Sequence, residues 1–222
     1  PLLEKITPSL SQIPKEELDK MPQLFFPLYG DLYECAPLKI AFVGMETNGW
    51  GNMKSFVNNC QENASIEIIG EQESFRKFDF TEWTINFGNS FWDVILYFIA
   101  RIHGKNWKDL KRKKHADVLS SFVWANLNSL ERYEVTAKKK KCEKKYWEMA
   151  KKESEIFDSG KLLIDVFEPA IVIITSKDKT PVEYFKGEKL SLIKEFPEEK
   201  FSIYKVDNRE TYVFWMPHPT WM

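Results

Sequence analysis

The chain has 222 residues, 43% of them apolar, which is the length of one ordinary globular domain with enough apolar matter for a core that needs no staple. No run approaches the roughly 18–20 apolar residues of a membrane span. Three scattered cysteines (Cys35, Cys60, Cys142) and three distant histidines (His103, His115, His218) make neither a CxxC pair nor an HxxxH metal site. The expectation is a monomeric cytoplasmic protein in a reducing setting, with no cofactor, no metal and no membrane partner. The net charge of −1 hides an asymmetry, because Arg101 to Lys151 carries fifteen Lys/Arg against six Asp/Glu. Its basic runs are Lys111-Arg112-Lys113-Lys114-His115 and Lys138-Lys139-Lys140-Lys141. Such a segment is either a solvated face or a phosphate-binding patch acting through counterion release.

In chain order, residues 1–37 are rich in Pro, Leu and acidic groups, with short helical fragments around Lys15–Lys20. They read as an N-terminal extension packed on a domain spanning 38–222. Leu38 to Gly44 is a nearly continuous apolar strand ended by glycine, as in a parallel strand covered on both faces. Met45 to Gly51 is a tight polar loop with an Asn-Gly turn, and a short helix follows over Met53–Gln61. Residues 62–88 are ambiguous, with strand-like Ile66 to Ile69. Phe91, Val94, Ile95, Phe98, Ile99 and Ile102 then form an amphipathic helix stripe, capped by Asn89 or Ser90 and stopped by Gly104.

Another short helix is expected from Trp107 to about Lys114. Ser121 to Ala125 is a second buried strand ending in polar Asn126-Leu127-Asn128-Ser129. A helix containing Ile156, Leu163 and Phe167 closes at Pro169, and Ala170 to Thr175 is a third buried strand, followed by Ser176. A helix is expected within 181–195. Phe201–Val206 and Thr211–Trp215 read as a hairpin around Asp207-Asn208-Arg209. This alternation predicts a three-layer α/β/α sandwich with a mainly parallel central sheet of four to five strands.

In open sheets of this kind, ligands bind beyond the carboxyl ends of the strands. That rule gathers Glu46–Asn48, Asn126–Asn128, Thr175-Ser176 and His218 on one edge, although Asn, Thr and Gly also end strands for local reasons. Pro217 and Pro219 hold His218 on a stiff extended segment. A carboxylate there can orient water or stabilise a cation. A side-chain amide offers one acceptor and two donors to a heterocycle edge. A neutral imidazole can donate to a developing anion. No nucleophile motif, GxGxxG or P-loop is present, so cleavage of an N-glycosidic bond fits better than acyl transfer, dinucleotide chemistry or NTP hydrolysis.

On these motifs the chain resembles a divergent member of the uracil-DNA glycosylase superfamily. Val43-Gly44-Met45-Glu46-Thr47-Asn48-Gly49 stands where that family has its first motif, and Gly44-Met45 is similar to the single-strand-selective branch. Gly88 to Val94 resembles the Asn-x-Phe-Trp helix start of the mismatch-specific branch, and Val123-Trp124-Ala125-Asn126 the strand whose terminal Asn reads the base. The helix ending at Glu168-Pro169 with the strand Ala170–Thr175 matches a third unit, and Pro217-His218-Pro219-Thr220 the His-Pro-Ser motif. The resemblance spans roughly residues 38–222. It implies a DNA base-excision glycosylase, acting on single- or double-stranded DNA with no cofactor. Glu46 or Asn48 would position water, Asn126 would recognise the flipped base and His218 would steady the departing base anion. Gly44, Met45, Ser176 and Thr220 would line the site, and Trp50, Phe87 and Phe91 are candidates for the stacking aromatic. The chain departs from the family at Glu46 and at Thr47, where Pro is usual, and its sequence stops three residues after Pro219, where the family continues into an intercalating loop. The alternatives are a non-catalytic binder of nucleobase or nucleic acid on the same fold, and a hydrolase of small nucleosides.

Overall fold

The computed structural model describes residues 10–45, 51–62, 80–86, 90–135, 137, 140–155, 158–176 and 181–217. In chain order these form α1 (Lys15–Leu18), β1 (Leu28–Tyr29), β2 (Ile40–Gly44), α2 (Met53–Glu62), α3 (Phe80–Asn86), α4 (Ser90–Ile102) and α5 (Trp107–Lys111). A 3₁₀ turn (Ala116–Ser120) leads into β3 (Phe122–Asn126), followed by α6 (Lys144–Ser154) and α7 (Ser159–Leu162), which continues as a π turn (Leu163–Phe167). The chain then runs through β4 (Ile171–Thr175), α8 (Pro181–Tyr184), β5 (Leu190–Phe196), β6 (Phe201–Val206) and β7 (Tyr212–Met216). By packing it divides into two compact units, one of Pro1–Phe26, Glu46–Glu73 and Asn126–Ser159, the other of Pro27–Met45, Ser74–Ala125 and Gly160–Met222.

The second unit holds the sheet apart from Asn126, the last residue of β3, with seven strands in the order β1-β3-β2-β4-β7-β6-β5. Its centre is parallel, with Val43 opposite Ile174 and Thr175 opposite Met216, and the outer pairs β1/β3, β7/β6 and β6/β5 are antiparallel. The expected count of four to five strands is therefore too low. All five strands read from sequence are present, and β1 and β5 are additional. With only two residues, β1 is too short to show any period. Its pairing depends on Gly30, whose N–H donates to the Phe122 carbonyl at 3.1 Å. A Cβ on Gly30 would stand 2.2 Å from the Ser120 carbonyl oxygen, so only glycine fits.

The helix expected within 181–195 is the single turn α8, after which Gly187 (φ +87) leads the chain into β5. As an edge strand β5 leaves Leu192 and Ile193 exposed, so no buried face marked it as a strand. The β6–β7 hairpin forms as expected, with Asn208 at φ +61, a conformation that Asn tolerates better than most residues.

β2 and β3 are buried along their whole length, as a parallel-type apolar run requires. Phe42, fully buried, packs edge-on to Phe122 at 5.4 Å and near Phe98 at 6.3 Å, and Phe80 of α3 lies 4.1 Å from Phe122. Burying each ring contributes about 1.5–3 kcal/mol. The buried face of α4 is turned from the expected stripe toward Trp92, Leu96 and Ala100, because Trp92 packs edge-on to Trp124 of β3 at 5.0 Å. Gly104 (φ +62) follows as the stop residue. At the other end of the strands, the Thr211 hydroxyl donates to the Pro169 carbonyl at 2.7 Å. There Arg209 pairs with Asp165 at 2.6 Å and Glu188 at 3.0 Å.

The first unit has its own apolar cluster of Leu10, Ile13, Leu18, Met21, Leu24, Met53, Phe56, Val57, Leu130, Cys142 and Ala150. Backbone bonds tie its segments together: Met53 N–H donates to Met21 O, Phe25 N–H to Ser129 O, and Val135 N–H to Lys20 O. Residues 10–37 are therefore shared between this cluster and, through Leu28–Tyr29, the sheet.

Candidate functional site

Three parallel strands end together in the sheet-bearing unit. Gly44 ends β2, Thr175 ends β4 and Met216 ends β7, and the strand register, with Val43 opposite Ile174 and Thr175 opposite Met216, puts them at one level. Ser176 fixes this edge: its N–H donates to the Met216 carbonyl at 3.1 Å, and its hydroxyl accepts from the Trp215 indole N–H at 2.9 Å. Ser176 is 1% exposed, so its hydroxyl acts as a clamp that sets where the chain leaves β7. The Thr175 hydroxyl likewise turns inward, donating to the Val43 carbonyl at 3.4 Å. Sequence reasoning identified Ser176 but missed Trp215, whose only signal was an indole at the end of an apolar strand.

Asn126 is the last residue of β3, the strand that neighbours β2 in the sheet order. Alternate residues of a strand share a face, so Asn126 follows Phe122 and Trp124 along one side of β3. It is 2% exposed, and neither Oδ1 nor Nδ2 has a hydrogen-bond partner among the described residues. Buried side-chain amides almost always have partners, and an unpaired one costs about 1–3 kcal/mol. One acceptor and two donors at this strand end thus have no partner among the described residues, a set that matches the edge of a nucleobase.

Phe91, at the start of α4, is 8% exposed and meets Trp92 edge-on at 5.3 Å. Phe91, Trp92 and Trp124 form a continuous aromatic row. Met45 follows β2 and is partly exposed. Glu46, Asn48, Trp50, Phe87, His218 and Thr220 lie outside the described residues.

The two basic runs differ. Lys138 and Lys139 lie outside the described residues. In the helix that follows, Lys144 stands 3.8 Å from Glu148 and Lys151 3.9 Å from Glu155, one turn apart. Arg132 and Lys151 lie over the Trp147 ring at 5.4 and 5.3 Å, and the Trp147 indole donates to Glu131 O at 3.3 Å. That helix is largely self-neutralised. In the run after α4, Lys111 pairs with Asp93 at 2.8 Å, and most of the other cations are exposed without an acidic partner among the described residues.

Among the described residues, no group of three or more His, Cys, Asp or Glu is arranged to hold a metal ion. No helix among them is long and apolar enough to cross a membrane. No protein-family model matches the chain, and no curated protein matches it in sequence.

Proposed function

We propose that this protein recognises a nucleobase and hydrolyses the N-glycosidic bond of uracil or a related damaged base in DNA. The observation that carries the reading is Asn126, a buried side-chain amide at the end of a central strand whose two polar atoms have no partner among the described residues. A base edge supplies complementary donors and acceptors, and binding it would recover the cost of burying the amide without a protein partner. The shared edge of β2, β4 and β7 supports the reading further, because Ser176 clamps the strand that leads to Pro217 and His218. β2 and β3, buried on both faces, support the three-layer α/β/α arrangement of the resembled family.

In this account Asn126 reads the base, Glu46 or Asn48 orients water and stabilises the sugar cation, and His218 donates to the departing base. Removal of one such donor lowers the rate by about 10²–10³-fold. The test is release of free uracil from single- and double-stranded oligonucleotides, comparing the native chain with His218→Ala and Glu46→Ala. Activity that survives both substitutions unchanged overturns the catalytic assignment.

Binding without cleavage is favoured by the same observation to this extent: Asn126 is a recognition group and breaks no bond itself. That reading predicts saturable base binding, weakened by Asn126→Ala, with no base released.

A further inference from the structure

The geometry points to a second nucleic-acid contact: the groove between the C-terminal end of α4 and α5 is a track for the phosphates of a single nucleic-acid strand. The groove has a volume of about 570 Å³ and is lined by Tyr97, Arg101, Gly104, Lys105, Trp107 and Lys108, among others. Tyr97 and Arg101 stand one turn apart on α4 and so share a face. Tyr97 is 51% exposed, an uncommon setting for a ring on a helix that buries most of its apolar residues. At Gly104 no atom of the described residues beyond its chain neighbours lies within 4 Å of where a side chain would begin, so they leave the groove open at that backbone.

The charge balance selects the occupant. Residues 101–115 contain seven Lys/Arg and one acidic residue, Asp109. Arg101, Lys105, Arg112, Lys113 and Lys114 are exposed, with no acidic partner among the described residues, and Lys108 lies 6.0 Å over the Trp107 ring. Among the described residues, Lys111 alone of these cations is in an ion pair, with Asp93. This concentration of like charge is unfavourable in the free protein and becomes favourable against a polyanion. Lys113 (φ +60) and His115 (φ +56) hold left-handed backbone in the same turn, and strain of this kind collects at functional segments. Cations along a groove beside an exposed aromatic ring match the way non-specific binders follow a single strand, phosphates on the cations and bases on the ring. The contact does not rest on base recognition by Asn126.

The experiment is titration of a fluorescent thymidine oligonucleotide across a salt series, using the native chain and the triple variant Arg101→Gln/Lys105→Gln/Lys108→Gln. Each lost phosphate contact on a single strand reduces the slope of log affinity against log salt by about 0.7, so the triple variant should be shallower by about 2. Tyr97→Ala should weaken binding by about fivefold or more, with the slope retained. Lys144→Gln/Lys145→Gln, on the self-neutralised helix, should change neither quantity. Asn126→Leu should leave the slope intact, which separates failure of this contact from failure of the base-recognition reading. Lys105→Gln alone, expected to reduce the slope by about 0.7, supplies the test should the triple variant fold poorly. An unchanged slope in these variants overturns the proposal, as does tighter binding to anionic phospholipid vesicles than to the oligonucleotide.

Discussion

Replacing Asn126 by leucine separates stability from recognition. In the free protein the amide is 2% exposed and has no partner among the described residues, and a buried polar group in that state costs about 1–3 kcal/mol. Leucine has nearly the shape of asparagine without its polar atoms, so the substitution removes the cost without opening a cavity. Asn126→Leu should therefore raise stability by about 1–3 kcal/mol. For a chain of this length that corresponds to a Tm increase of roughly 2–12 °C, taking about 2–4 °C per kcal/mol. The same variant should lose the capacity to bind a free base. Urea unfolding followed by tryptophan fluorescence measures the first effect, provided that the m-value stays constant so that the midpoint alone reports stability. A loss of about 1 kcal/mol or more in the variant, the ordinary result for a satisfied buried asparagine, would refute the reasoning.

Three further outcomes follow from other parts of the molecule. Gly30→Ala places a Cβ 2.2 Å from the Ser120 carbonyl oxygen and should cost about 1–3 kcal/mol through displacement of β1; an unchanged urea midpoint contradicts that packing. Burial, reinforced by the nearby Glu134 carboxylate, pushes the Cys142 thiol up to about 11, so iodoacetamide at mildly alkaline pH should label exposed Cys35 well before Cys142. Peptide mapping by mass spectrometry reads the order, and equal rates would place Cys142 at the surface. Burial lowers the His103 pKa; its Nε2 lies 3.0 Å from the Ser121 hydroxyl, which itself donates to the Val118 carbonyl. The unfolded chain therefore takes up this proton at higher pH than the folded one, and the contribution of His103 to stability is lost as pH falls below about 6.5. His103→Gln should flatten the decline in Tm between about pH 7 and about pH 5, and an identical decline in the variant would assign it to other groups.

The apolar runs that became β2, β3 and β4 were legible because a segment of that composition has to be covered on both faces. The β6–β7 hairpin was legible through Asn208, which takes a left-handed backbone at small cost. β1 was not, since two residues carry no period and its place depends on the close approach of Gly30 to Ser120. β5 was missed because exposed Leu192 and Ile193 remove the one-sided burial that distinguishes a strand from a helix. For α4 the sequence gives the helix but not its rotation, which is decided by the packing of Trp92 on Trp124. At the candidate site, Asn126 was visible as a polar residue ending an apolar strand. Its lack of partners among the described residues is a property of the packed fold that no local pattern encodes. The roles expected of Glu46, Asn48 and His218 come from the strand-end rule and from the family resemblance, and the three residues lie outside the described residues. The basic segment was visible as a charge count, but only the ion pairs separate the self-neutralised α6 from the groove beside α5.

The most direct measurement of the central claim is the side-chain NH₂ resonance pair of Asn126, followed by NMR as free uracil is added to the intact protein. Base recognition by this amide predicts that both proton resonances move together and saturate, and that ribose phosphate leaves them in place. Asn126 resonances that stay fixed while uracil shifts other parts of the spectrum, or a spectrum that does not respond to uracil at all, would contradict it.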